Sequence, residues 1–214
     1  MKQFPVTDKT KITRLPKRGS YDKDLIYSIL DDALFCTVAF VRNNTPFQIP
    51  TGFCRVDDKI YIHGSVGSFY MRELAATQPT VCVSVTHIDG LVLARSAMHH
   101  SVNYRSVIFF GKAEKVEDKD EVYQALELFT NKIQPGRWND IRQPSANEWK
   151  ETMVIAITID EASAKVRTGS PKDDEEDYAL DVWAGVVPLT LERHAPIADE
   201  RLKEGVALPD YLKR

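Results

Sequence analysis

Apolar and polar positions change their period several times along the chain. Over residues 80–88 they alternate strictly: Val81, Val83 and Val85 on one side, Thr80, Cys82, Ser84 and Thr86 on the other. That two-residue period is the mark of a half-buried strand. Runs at 34–41, 47–56, 59–64, 104–116, 153–159 and 164–168 predict further strands, several of them separated by turns such as Asn43-Asn44 and Asp57-Asp58. Asp89-Gly90 reads as a hairpin turn leading into LVLARSA. Pro46 and Pro50 would remove ladder donors, so the second run should begin at a sheet edge or contain a bulge. Three stretches carry the helical period instead. Ser20 and Asp22 can cap the first, whose apolar face is Leu25, Ile26, Ile29 and Leu30. The second spans 68–78 and stops at Pro79; the third spans 118–133, with Val122, Leu126, Phe129 and Ile133 on its buried stripe.

Between these elements lie an extended lead-in (1–20), a long loop (134–149), an acidic solvated loop (173–178) and a polar tail (188–214) expected to wrap a neighbouring surface. Short antiparallel strands with helices inserted between them predict a single α+β domain over 1–214, mainly β and barrel-like. The apolar fraction of 43% is ordinary for a globular protein, so wholesale disorder is not expected. A net charge of −3 with interspersed signs speaks against a nucleic-acid partner, which would select a basic stripe. No apolar run is long enough to span a bilayer and the first residues lack a hydrophobic signal core, so no membrane association and a cytoplasmic location are expected. Cys36, Cys54 and Cys82 each sit in an apolar run without the paired close spacing of metal ligands, and read as buried thiols.

Two segments could carry chemistry. In IHGSVGSFYMREL (62–74) a strand ends at His63, a small-residue turn follows and a helix begins near Ser68. Free N–H groups at a helix start favour a phosphate, with Ser65 and Ser68 as hydroxyl donors, Gly64 and Gly67 permitting close approach, and Arg72 as a charge. The other reading of this turn is an ordinary strand–helix connection capped by Ser68. The second segment is ARSAMHHSVNYRSVIFFG (94–111). Its adjacent His99 and His100 point to opposite faces of an extended chain and have no acid at ligand spacing, so no metal is expected. Tyr104, Arg105 and Ser106 form the polar mouth of a strand that turns apolar at Val107.

HGSVGS on a strand-to-helix turn, THIDGLVLARSAMHHSVNYRSVIFFG, and the late AKVRTGSPKDDEEDY with WAGVVPL together resemble the pyridoxamine 5′-phosphate oxidase-like split-barrel flavoproteins. The resemblance is to their flavin-nucleotide-binding branch, related to nitroimidazole-resistance proteins, and covers residues 20 to about 190. It implies a six-stranded antiparallel split β-barrel with inserted helices. It also implies a homodimer with FMN at the subunit interface. Pro50, Thr51, Gly52 and Phe53 resemble the strand that runs along the flavin ring. His63, Gly64, Ser65 and Ser68 resemble the turn that holds ribityl and phosphate, with His63 beside the ring; Tyr104, Arg105 and Ser106 resemble a strand that contributes side chains to the same cofactor. The parent oxidases follow the serine of the phosphate turn with two basic residues, whereas Phe69 and Tyr70 follow Ser68 here. The phosphate charge then falls to Arg105 first and Arg72 second, or to a basic residue of the other subunit. Trp183, before Ala184 and Gly185, is expected to reach the partner's cofactor or close the interface, or else to anchor the tail in the core. The implied activity is an FMN-dependent oxidoreductase acting on a small-molecule donor or acceptor, with His63 as the candidate proton donor or orienting group. A non-catalytic flavin store, carrier or sensor needs the same pocket, and haem or a deazaflavin are the other cofactors that split barrels admit.

Overall fold

The structure is a computed structural model and describes residues 2–213; Met1 and Arg214, the ends of the 1–214 span expected to form one domain, lie outside the described residues. In chain order the elements are β1 (Gly19–Ser20), α1 (Lys23–Asp32), β2 (Phe35–Arg42), β3 (Thr45–Gly52), β4 (Cys54–Val56) and β5 (Lys59–Ser65). There follow α2 (Phe69–Thr77), β6 (Thr80–Leu93), β7 (Ser101–Lys115), α3 (Lys119–Ile133), α4 (Ala146–Glu151), β8 (Thr152–Thr158), β9 (Glu161–Arg167) and β10 (Gly185–Pro188). α1 and α3 start where a side chain takes up a free N–H group: Asp22 accepts from Leu25 N at 3.0 Å and Asp118 from Glu121 N at 2.8 Å. α1 buries Ile26, Ile29 and Leu30 completely, with Leu25 only half-buried beside them.

All described strand pairs are antiparallel, in the order β3-β2-β6-β7-β8-β5-β4, with β9 on β7 and β1, and β10 on β6. The path leaves β3 and β4 at opposite ends, so the barrel is split rather than closed. The long strand β7 makes this possible. On one side it pairs with β6 over 101–112; on the other it pairs with β9 over 104–110 and with β8 over 113–115. Gly111 sits at the switch, where an added methyl would lie 1.6 Å from the Thr158 carbonyl oxygen. Only glycine lets β8 pass so close. The main core lies between the sheet and α1, around Phe53, Phe109, Ile155 and Ile157. A smaller core of Cys54, Tyr61, Val154 and Ala156 packs against Val122, Ala125, Leu126 and Phe129 of α3.

Several expectations change. The sheet has ten strands among the described residues rather than six: short pieces (β1, β4, β10) add to seven longer strands. Asp89-Gly90 is no hairpin turn: β6 runs straight through it with a bulge between Ile88 and Gly90, and the chain reverses over 94–100 instead. Gly90 serves to admit β10, since a methyl there would meet Val186 and the Val187 carbonyl at 3.1 Å. The loop 134–149 contains the start of α4, fixed by a capping box between Ser145 and Glu148. Ile133, expected on the buried stripe, is 51% exposed, because the stripe turns off the sheet after Phe129. The acidic loop is less solvated than its composition suggests, for the Asp173 side chain is fully buried against Arg95. Cys36 and Cys54 are buried, while Cys82 is only half-buried on the outward sheet face. Pro46 and Pro50 lie in β3, which pairs with β2 alone and is an edge, as their missing donors require.

Candidate functional site

Alternation along β5 sends Ile60 and Ile62 into the main core and turns Tyr61 and His63 towards α3. The His63 ring lies 4.3 Å from Phe129, edge to face. Phe129 also fills the space over Gly52, where a methyl would come within 2.7 Å of its ring. Beside them opens a cavity of about 470 Å³, lined by His63, Phe129, Leu126, Trp138, Trp149 and Arg142, among others. Tyr123 organises its aromatic wall: it meets Trp138 edge-on at 5.4 Å, stacks with Trp149 at 6.2 Å, and accepts from Trp138 Nε1 at 3.4 Å. α4 carries Trp149 into place, held by the Ser145 cap and by Glu148, whose carboxylate takes both Arg142 nitrogens at 2.6 and 2.7 Å. Arg142 and the cap N–H hold that carboxyl well below its usual range. Burial lowers the His63 pKa, and no hydrogen bond from a described residue reaches its ring. At neutral pH His63 is therefore an uncharged imidazole with a lone pair beside an aromatic cavity.

The turn after His63 is placed differently from a phosphate cradle. Gly64 and Ser65 line a recess of about 410 Å³ together with Glu148, Glu151 and Thr152, so its charged neighbours include two acids. Ser65 Oγ accepts from the Gly67 N–H at 3.1 Å, and Ser68 starts α2 without a side-chain cap. Arg72 is exposed on α2. Of the segment expected along the flavin ring, Pro50 is exposed, Thr51 is 9% exposed, and Phe53 is fully buried under Lys132, whose Nζ lies 3.8 Å from its ring centre.

Strand alternation separates the third group. Arg105 points to the α1 side, where Asp89 takes it at 3.0 and 3.1 Å and Asp32 at 2.7 Å. These bonds raise its pKa further and occupy the guanidinium that was expected to meet phosphate. Tyr104 and Ser106 face outward, opposite Arg167 and Lys165 in register. Arg167 is 7% exposed, yet no carboxylate pairs with it among the described residues. Its partners are the Asn103 side chain and the carbonyls of Gly169 and Ser170, and its Nε has none. The sequence reading missed this residue, which only the β7–β9 register places beside Tyr104. It also passed over Trp138, Arg142 and Trp149, hidden in the expected loop.

His99 and Trp183 lie in surroundings that the sequence pattern does not predict. His99 Nδ1 lies 3.8 Å from Asp173, and with Asp177 these groups fall within 4.8 Å of one another. The acid comes from 74 positions on (173 minus 99), a partner that spacing could not reveal. Asp173 already takes the Arg95 guanidinium and main-chain N–H at 3.0 Å each, so the group is an ion-pair knot. Trp183 is 67% exposed, with its ring edge against Gly185.

The pyridoxamine 5′-phosphate oxidase family model matches residues 22–166, from the start of α1 to the end of β9. The chain belongs to this family. Among solved structures, that of the flavocytochrome Anf3 from Azotobacter vinelandii is 37% identical, covers 96% of this chain and 95% of its own, and superimposes with a TM-score of 0.90. The FAD and heme binding protein from Mycobacterium smegmatis is 38% identical over 91% of this chain and 95% of its own, with a TM-score of 0.86. A 5-nitroimidazole antibiotic resistance protein from Bacteroides thetaiotaomicron, 22% identical over 69% of this chain and 86% of its own at a TM-score of 0.56, shares the fold. No curated protein matches the chain. No helix among the described residues is long and apolar enough to cross a membrane.

Proposed function

We propose that this protein is a dimeric redox protein that holds a flavin nucleotide, FMN or FAD, together with a haem. The observation that carries the reading is the His63 cavity. His63, a neutral imidazole with a free lone pair, would hold the haem iron, and Phe129, Trp138 and Trp149 would supply flat apolar walls for its ring. The flavocytochrome and the FAD and heme binding protein, each more than 35% identical to this chain over nearly its whole length, support the same pair of cofactors. When bound, a flavin supplies hydride and two-electron chemistry and a haem one-electron chemistry. The chain's own part is to hold, orient and dry. Partial burial beside α3 disfavours the imidazolium form of His63, and Trp138 and Trp149 wall the cavity.

The outward face of the sheet fits the flavin and the second subunit. Phe35 (65% exposed), Ile88 (50%) and Ile108 (45%) stand there between Thr86, Tyr104 and Ser106. An apolar face of this kind marks an interface, and a flat ring can lie against it where the polar side chains interrupt it. The Mycobacterium smegmatis relative, named for FAD and heme, favours FAD over FMN. The test is the mass and spectrum of the ligands released from purified protein, in wild type and in His63→Ala. Loss of haem with retained flavin in the variant is expected; haem retained at wild-type level would refute the ligand assignment. Consumption of NADH or NADPH beyond one equivalent of flavin separates a catalyst from a flavin carrier.

A further inference from the structure

Arg167 opens a second site. Beyond the edge of the sheet, its guanidinium lines a cleft of about 660 Å³ formed by Leu15, Pro16, Lys17 and Arg18 on one side and Val166, Thr168 and Lys172 on the other. Four of the lining residues are cations and none is an acid. Lys17, Arg18, Arg167 and Lys172 make no ion pair with any described residue, and Asp173, next to Lys172, is turned away to Arg95. Such an arrangement is electrostatically unfavourable: burial and, after it, Arg18 lower the Arg167 pKa. A guanidinium does not lose its proton at physiological pH, so the charge persists and is incompletely met by Asn103 and two carbonyls. Buried charges are ordinarily paired, and the missing partner here is an anion. Nε is enclosed and has no partner among the described residues, so the planar donor fork is incompletely satisfied, and phosphate oxygens match the geometry of such a fork.

We propose that this cleft is an anion site that takes the phosphate or diphosphate group of a small molecule. One source is the flavin nucleotide, because Arg167 stands beside Tyr104 at the rim of the outward face; in that form the inference rests on the flavin reading above. The other source is a separate phosphorylated small molecule. The assignment is compatible with the acids around Ser65, because the phosphate charge would then be met at the C-terminal end of β9 and not at the α2 turn.

The experiment is calorimetric titration of riboflavin, FMN, FAD, ADP and inorganic pyrophosphate into cofactor-stripped full-length protein. Wild type is compared with Lys17→Ala/Arg18→Ala/Lys172→Ala, which changes exposed or half-buried cations, and with Arg167→Lys. Melting curves accompany each variant to show that it folds. If the flavin supplies the phosphate, FMN and FAD weaken at least tenfold in the triple variant while riboflavin is unchanged. If a separate molecule supplies it, FMN and FAD hold and ADP or pyrophosphate weakens at least tenfold. Wild-type affinity for all phosphates in both variants overturns the site, as does an equal loss for riboflavin, which would mark a structural role. Should no flavin bind wild type at all, the flavin reading fails, and the ADP and pyrophosphate arms still decide the site.

Discussion

His63 is a half-buried imidazole, and the pH dependence of stability should show it. Its pKa in the folded protein lies below the ordinary 6.5 because burial disfavours the imidazolium. Below that value the unfolded chain binds a proton that the folded protein resists. The stability it contributes is thus complete above about pH 6.5 and is lost as the pH falls towards the folded pKa. In cofactor-free protein, His63→Leu should decline less in melting temperature between about pH 7 and pH 5 than wild type does. Parallel declines would remove the burial argument. Arg105 belongs to the frame instead: clamped by Asp89 and Asp32, it ties β6, β7 and the end of α1 together. All three groups are partly exposed, so Arg105→Ala should cost about 1 kcal/mol in urea denaturation. It should leave the preference for FMN over riboflavin as it is in wild type. The sequence placed Arg105 among pocket residues by resemblance, but one step of alternation puts it on the other face from Tyr104 and Ser106. Arg167 was not legible as a buried cation, because its burial depends on Asn103 and on the 169–170 turn, which meet it only in three dimensions.

At the scale of elements, local patterns were legible and long-range demands were not. The alternation over 80–88 and the helical stripes of α1 and α3 marked their elements closely, since each carries its own period. Asp89-Gly90 misled because the same dipeptide serves two purposes. Its aspartate pairs with Arg105 and its glycine makes room for β10, a strand 95 residues further on (185 minus 90). The capping box at Ser145 was present in the sequence and marks how α4 begins. Ser145→Ala should cost about 1 kcal/mol, seen as faster hydrogen exchange over 146–151 and a shifted Trp149 emission. Unchanged exchange would mean that α4 is held by packing alone. Gly111→Ala is the severe element-level change, because the obstructing atom is a backbone oxygen of β8. A loss of about 3 kcal/mol or more is expected, and a variant as stable as wild type would contradict the close crossing that splits the barrel.

For the whole molecule, the outward face of β2, β6 and β7 joins the cofactor reading to the assembly. Small or apolar groups (Ala39, Cys82, Ile108) stand between exposed Phe35 and Ile88 there, a surface that a second copy could cover. Ile108→Arg should shift the light-scattering mass from two chains to one and weaken flavin retention with it. A monomeric wild type at micromolar concentration would refute the dimer. The family and the split barrel could be recognised from the central segment of the sequence, but the aromatic cavity could not, since its walls come from α3, the 138–142 stretch and α4. The most direct test of the account is the absorption spectrum of the protein as purified, before and after dithionite reduction, with mass analysis of what denaturation releases. A flavin band and a Soret band in the same dimer, the latter lost in His63→Ala, are the expected result. A colourless protein that takes up neither flavin nor haem when reconstituted would contradict it.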